Sequence, residues 1–262
     1  MKVKTCILRA AGTNCDLETD HAFQLAGSET ELVHINRLKR KERDLANYHI
    51  LVIPGGFTYG DDIAGGKILA NELKYNLQES IREFIDDGKL ILGICNGFQV
   101  LVKAGLLSGD GKGREVQRIT LTWNDSAKFE DRWIYLKILD NKRCVFTRGM
   151  EGLLYIPVAH AEGKFVTSND DAMRQLWANN QVVCQYVDPQ GAPAEYPWNP
   201  NGSMDAIAGI CDRTGRIFGL MPHPERHIHP TNHPRWTRGF RSRQGEGLQI
   251  FKNAVDFVKH NL

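Results

Sequence analysis

The chain has 262 residues, enough to bury a substantial core without disulfides or metals. Hydrophobic residues make up 42% and charged residues 24%, and 33 Lys and Arg against 31 Asp and Glu leave a net charge of +2, which gives no warrant for a nucleic-acid or membrane surface over the whole molecule. No apolar run approaches the roughly 18 residues of a membrane span, and six scattered cysteines without a C-x-x-C pair argue against a disulfide framework or cysteine zinc site and for a reducing, cytoplasmic setting.

In chain order, Val3–Leu8 reads as a buried strand, its apolar run too short for a signal peptide. Asp16 suits the cap of a helix running to about Ala26, and Glu31–Ile35 and His49–Ile53 read as further strands. A helix over Leu77–Asp87 stops at Gly88, and the strand Leu90–Ile94 feeds a helix over Asn96–Ala104. Continuous apolar strands separated by helices imply an open, mostly parallel sheet covered on both faces. Beyond Gln117 short strands dominate: Arg118–Thr122, Trp133–Ile138, Leu153–Val158, Gln181–Tyr186, Ala206–Cys211 and Ile217–Leu220. They suit an antiparallel extension of the same sheet, so residues 1–262 are expected to form a single α/β domain. Residues 191–201 and 222–246 read as irregular, and Leu248–His260 as a final amphipathic helix.

Three segments carry chemistry. In Gly93-Ile94-Cys95-Asn96-Gly97, glycines two before and two after a cysteine permit a tight strand–turn–helix with the thiol at its apex. The helix N-terminus behind it favours thiolate and offers N–H groups to an oxyanion. Pro222-His223-Pro224-Glu225 supplies a base with a carboxylate to orient it, as a nucleophilic cysteine requires. Pro54-Gly55-Gly56 lets backbone amides approach a ligand closely, which beside a nucleophile makes a second half of an oxyanion hole. Each has a bland counterpart: a core cysteine in a glycine-rich turn, a solvated loop, an ordinary strand end. Their order and placement together favour the chemical reading.

These segments, in this order, resemble the triad-type (class I) glutamine amidotransferases over nearly the whole chain. The segments GTNCD at 12–16, PGGFTYGDD at 54–62, GICNGFQVL at 93–101, IPVAHAEG at 156–163 and MPHPERH at 221–227 are similar to the branch serving an ATP-dependent synthetase of purine biosynthesis. The resemblance implies a flavodoxin-like fold, Cys95 as nucleophile, His223 as general base and acid, and Glu225 as the residue orienting His223. It places Gly55, Gly56 and the helix start at Asn96 at the oxyanion, and Gln99, one turn past Cys95 on the same helix face, against the glutamine. His160 and Glu162 are candidates for glutamine's α-amino and α-carboxylate groups or for the partner, with a capped strand end the alternative. Implied partners are L-glutamine, the synthetase subunit and a small accessory subunit.

No G-x-x-x-x-G-K-[ST] loop is present, so no cofactor is expected on this chain, and ATP and magnesium are expected on the synthetase. The basic stretch Arg226–Arg243 is a candidate docking surface, and its His227, His229 and His233 lack a recognisable metal spacing. Asp61 and Asp62 suit the cap of a following helix, and residues 109–131 and 188–202 read as long loops. Rival readings are a cysteine hydrolase built on a similar elbow, a glutaminase serving another synthetase, and a catalytically silent binding subunit. Against the first, Asn96 follows Cys95 where such hydrolases commonly place histidine. Against the last, all three triad residues are present.

Overall fold

The computed structural model describes residues 1–107, 117–140, 143–238 and 244–262. In chain order the first half holds β1 (Lys4–Arg9), α1 (Asp16–Leu25), β2 (Glu29–His34), α2 (Ile35–Lys39), β3 (Ile50–Ile53), α3 (Lys67–Asn76), α4 (Gln78–Asp86), β4 (Leu90–Ile94) and α5 (Asn96–Lys103). The second half holds β5 (Ile119–Thr122), β6 (Glu130–Ile138), β7 (Leu153–His160), β8 (Lys164–Thr167), α6 (Asp170–Ala178), β9 (Val182–Val187), β10 (Ile207–Cys211), β11 (Ile217–Leu220) and α7 (Leu248–Asn261).

Among the described residues nine strands form one sheet in the order β2-β1-β3-β4-β11-β10-β9-β6-β7. The first five are parallel and the rest antiparallel, so the expected parallel sheet with an antiparallel extension is what forms. The central strands ILVI and LILGI are buried at every residue, as strands covered on both faces must be. At one rim β2 carries Glu29, Glu31 and His34 and is partly exposed, which suits an edge. Helices α1 and α5 pack against the sheet, α7 lies beside α1 and α3 beside α5, and β5 of the small β5–β8 pair also packs on α5. Phe23 of α1 meets Phe251 of α7 edge to face at 5.1 Å.

Register brings the strand ends level. Ile53 lies opposite Gly93, and Ile94 opposite Leu220. The turns after β3, β4 and β11 therefore emerge side by side at the carboxyl edge. The order reverses between β1 and β3, which makes a crevice there.

Several expectations need correction. Helices α2, α3 and α6 and strand β8 are not evident in the sequence, because polar or glycine breaks such as Gly65-Gly66 and Ser168-Asn169 adjoin short elements whose apolar face is narrow. Asn169 caps α6 by accepting from Ala172 N at 2.9 Å. Cys15, not Asp16, precedes α1; Asp16 instead pairs with Arg9 at 2.6 Å. The loop read at 109–131 is interrupted by β5 and the start of β6, and its residues 109–116 lie outside the described residues. Residues 188–202 are irregular as expected. Among the described residues no helix is long and apolar enough to cross a membrane.

Candidate active site

The turn from β4 into α5 is a strained elbow. Cys95 adopts φ 51° and ψ −107°, and its N–H is held by Leu220 O at 2.8 Å, extending the β4–β11 ladder to the apex. A residue in such a sparsely populated region costs on the order of 1–3 kcal/mol and persists only where its surroundings over-determine it. Here the flanking glycines are the reason it fits. A Cβ on Gly97 would lie 1.8 Å from Ile53 O, and one on Gly93 would lie 2.6 Å from Gly97 O. As the first residue of α5, Asn96 has no intrahelical acceptor for its N–H, which points at the apex region.

His223 emerges from β11 with its N–H bonded to Pro157 O of β7 at 2.8 Å. It is 1% exposed, its Nδ1 lies 2.6 Å from Glu225 Oε1, and Glu225 is 2% exposed. The ring stands beside the sulfurs of both Cys95 and Cys15. Nε2 is buried and has no well-formed hydrogen bond among the described residues. Burial opposes charge on the ring, but the Glu225 carboxylate and the Cys95 sulfur outweigh it and hold the imidazole pKa well above the ordinary 6.5.

A histidine raised in the fold contributes stability that is complete below 6.5 and is lost as pH climbs through the folded value. Melting temperatures taken from about pH 6 to about pH 9 should fall more steeply for the native chain than for Glu225→Gln. Parallel slopes would mean the pair contributes nothing.

The Gly55–Gly56 turn is shaped by the loop after β1. Cys15 N donates to Gly55 O at 3.2 Å, Phe57 N to Gly12 O at 2.9 Å and Tyr59 N to Ala11 O at 2.7 Å. Gly56 sits at φ 142°, a conformation side chains rarely adopt, and a Cβ on Gly55 would meet His223 Cε1 at 2.8 Å and Cys15 Sγ at 3.1 Å. The GTNCD and PGGFTYG segments are thus two halves of one interlocked turn. Cys15 is not singled out by the sequence; a lone thiol in a loop gives no sign that it will face an imidazole two hundred positions on. Arg226 Nη2 donates to its sulfur at 3.1 Å. Burial pushes the Cys15 thiol pKa up, as it does those of Cys6 and Cys184.

Beside Cys95 a cleft of about 260 Å³ opens, lined among others by Gly56, Asp61, Gln99, His160 and Glu162, with room for one amino acid. A larger hollow of about 880 Å³ lies at the amino ends of β1 and β2 among charged side chains, remote from Cys95. The Asn96 side chain turns inward: Oδ1 accepts from Thr58 Oγ1 at 2.6 Å, and Nδ2 donates to Asp61 Oδ1 and Gln99 Oε1, both at 2.8 Å. Gln99 Nε2 donates to Glu162 O at 2.7 Å, so its amide fixes the cleft wall. Asp61 and Asp62 do not cap a helix directly behind them. The next helix starts at Lys67, and Asp61 Oδ1 accepts from Gly66 N at 3.3 Å. His160 lines the cleft, but its Nδ1 lies 3.2 Å from Asn124 Oδ1 and its Nε2 3.5 Å from Asn201 Nδ2. Burial, with His223 nearby, pushes its pKa down to about 3, so it is neutral at physiological pH. Ala159 O, at 3.6 Å, accepts from Cys95 Sγ; a carbonyl gives no signal in a sequence.

Of the segment 226–243, residues 239–243 lie outside the described residues. Of the rest, His227, Ile228 and His233 are buried, whereas residues 234–238 are exposed. His227 and His233 are buried against Trp133 and Tyr155, and His229 meets His21. These histidines make no three-ligand cluster; among the described residues Cys15, His223 and Glu225 are the group with ligand-type spacing, and they belong to the site itself.

A strained cysteine elbow at the carboxyl edge of a flavodoxin-like sheet, with a buried imidazole–carboxylate pair beside it, defines the class I glutamine amidotransferase arrangement. The chain belongs to the family described as CobB/CobQ-like glutamine amidotransferase domains, whose model matches residues 2–258. More particularly, it belongs among the PurQ subunits of phosphoribosylformylglycinamidine synthase. It is 52% identical over 259 residues to that subunit from Dehalococcoides mccartyi, covering 98% of each chain. A solved chain from the PurLQS structure of Thermotoga maritima is 31% identical with a TM-score of 0.75, covering 98% of this chain and 100% of that one. A second Thermotoga maritima glutamine amidotransferase, 16% identical with a TM-score of 0.59 and full coverage of both chains, shares the fold.

Proposed function

We propose that this chain, acting as one amidotransferase domain over residues 1–262, hydrolyses L-glutamine to glutamate and ammonia and passes the ammonia to the synthetase subunit of phosphoribosylformylglycinamidine synthase. The observation carrying the mechanism is the His223 ring: Nδ1 on Glu225 at 2.6 Å, Nε2 buried and unpartnered, and the Cys95 sulfur beside it.

His223 Nε2 takes the proton of the Cys95 thiol, and the thiolate attacks the carboxamide carbon as the C=O pair moves onto oxygen. N–H groups of the Gly55–Gly56 turn and Asn96 hold that oxyanion; losing one such donor typically costs about 10²–10³ in rate. His223 gives its Nε2 proton to the departing nitrogen, the C–N bond breaks, and ammonia leaves with a γ-glutamyl thioester on Cys95. Water then attacks, giving a proton to Nε2, and the C–S bond breaks to release glutamate and restore the thiolate. Glu225 keeps Nδ1 protonated and the ring oriented throughout.

Free ammonia in neutral water is mostly ammonium, which has no lone pair to attack with. A shielded hand-over to the partner is therefore part of the function. The exposed face around Arg235, Trp236 and Arg238 is assigned to docking, ATP and magnesium to the synthetase subunit, and a small accessory subunit completes the assembly. Incubating the assembled enzyme with a chloroketone analogue of glutamine tests the assignment. Mass spectrometry should place a single adduct on Cys95, and an adduct on Cys15 or another cysteine would overturn it.

A further inference from the structure

Cys15 has no step of its own in glutamine hydrolysis, yet it is placed like a working residue. It is 1% exposed and stands at the start of α1, with its backbone and its side chain turned to different parts of the site. Its N–H donates to Gly55 O at 3.2 Å and so ties the oxyanion turn to the loop after β1. Its sulfur faces the base. Cys15 Sγ, a ring nitrogen of His223 and a carboxylate oxygen of Glu225 all lie within 4.8 Å of one another. Gly55 closes the same corner, since a Cβ there would collide with both His223 Cε1 and Cys15 Sγ.

The sulfur is itself held from two sides. It donates to Asn14 Oδ1 at 3.2 Å and accepts from Arg226 Nη2 at 3.1 Å, and Arg226 is steadied in turn by Glu18 at 3.5 Å. Burial keeps the thiol protonated, so it does not rival Cys95 as a nucleophile. With its proton committed to Asn14, the sulfur offers the ring an uncharged acceptor. His223 has one strong tether, Nδ1 on Glu225 at 2.6 Å, about which the ring can still pivot. A second contact on the ring is what fixes the direction of Nε2. Cys15 does not line the cleft, so whatever it does for the reaction it does through His223.

We propose that Cys15 is a positioning residue for the glutaminase reaction: its sulfur, pinned by Asn14 and Arg226, braces the His223 ring so that Nε2 stays aimed at the Cys95 thiol and the departing nitrogen. This rests on the glutaminase reading above and adds to it a residue that acts through the base. Because the backbone of the same residue holds the Gly55 turn, base and oxyanion hole share one mount.

Cys15→Ala removes the sulfur and leaves the backbone bond to Gly55 in place. Glutamate release by the assembled enzyme should fall about 10- to 100-fold in kcat, the scale of a misaimed catalytic group, while KM for glutamine stays within about 3-fold. Cys15→Ser, whose hydroxyl can keep the Asn14 and Arg226 bonds, should recover most of that loss. Among the described residues, the titratable and charged groups facing the ring are Glu225, Cys95, His160 of β7 and Cys15, with Arg226 and Glu18 behind Cys15. Of these only Cys15 is altered. Its sulfur helps the ring keep its proton, so in Cys15→Ala the alkaline limb of kcat/KM should move to lower pH, a shift that a merely structural loss would not produce. Native kcat in Cys15→Ala, or a loss without the pH shift, overturns the proposal, as does a serine variant no faster than the alanine one. Failure of the glutaminase reading looks different: the native enzyme would release no glutamate from glutamine, and the chloroketone would leave Cys95 unmodified.

Discussion

Cys95→Ala should lower glutamine-dependent synthesis by the assembled enzyme on the order of 10⁵-fold or more, while synthesis from added ammonia continues at close to the native rate. The two activities part because the thiol is needed only to release ammonia, whereas the partner's reaction needs only to receive it. Alanine fits the elbow, since the Cβ is already present and the sulfur is the only atom removed. The substitution should therefore leave folding and assembly intact, and an unchanged sedimentation profile of the complex checks that. Full glutamine use by the variant would remove Cys95 from the mechanism.

Gly97→Ala should be among the most damaging single methyls in the described residues. Its Cβ would lie 1.8 Å from the Ile53 carbonyl, which is backbone in a fully buried strand and has nowhere to retreat. Overpacking a rigid site costs about 1–3 kcal/mol and sometimes more, and here α5 must shift bodily away from β3. We expect a loss of about 3 kcal/mol or more, read as a drop in the denaturant midpoint. Gly149→Ala is the control. Nothing lies within 4 Å of its Cβ position, and φ is +70°, so only the left-handed backbone penalty of about 1–2 kcal/mol applies. Equal losses in the two variants would show that the collision at Gly97 costs no more than a backbone penalty.

Much of this was legible because local rules and the fold agree. LILGI followed by Cys-Asn-Gly states a buried strand, a tight apex and a helix start within one stretch, and β4 and α5 form there. Strands β3 and β11 were equally plain, since their apolar runs end close to Gly or Pro. What escaped was long-range. Cys15 owes its place beside His223 to the interlocking of two loops, and Ala159 contributes a backbone carbonyl that no side chain announces. Helix α3 was hidden because Leu77, at φ −127°, breaks one helical stretch into two, and only the second half carries a strong apolar stripe. In its segment His160 suited either a ligand-facing residue or a capped strand end, and it does line the cleft. In the fold its ring closes a knot with Asn124 and Asn201, as a Cβ on Gly163 landing 2.3 Å from its Cε1 shows.

Strand β7 is the last in the sheet, paired on one side to β6, and it also holds His223 by the backbone at Pro157 and touches the Cys95 thiol through Ala159. The rim of the molecule and its reacting atoms are therefore mechanically one piece. A protein that grips this margin handles the proton relay directly, with no intervening layer to absorb the motion.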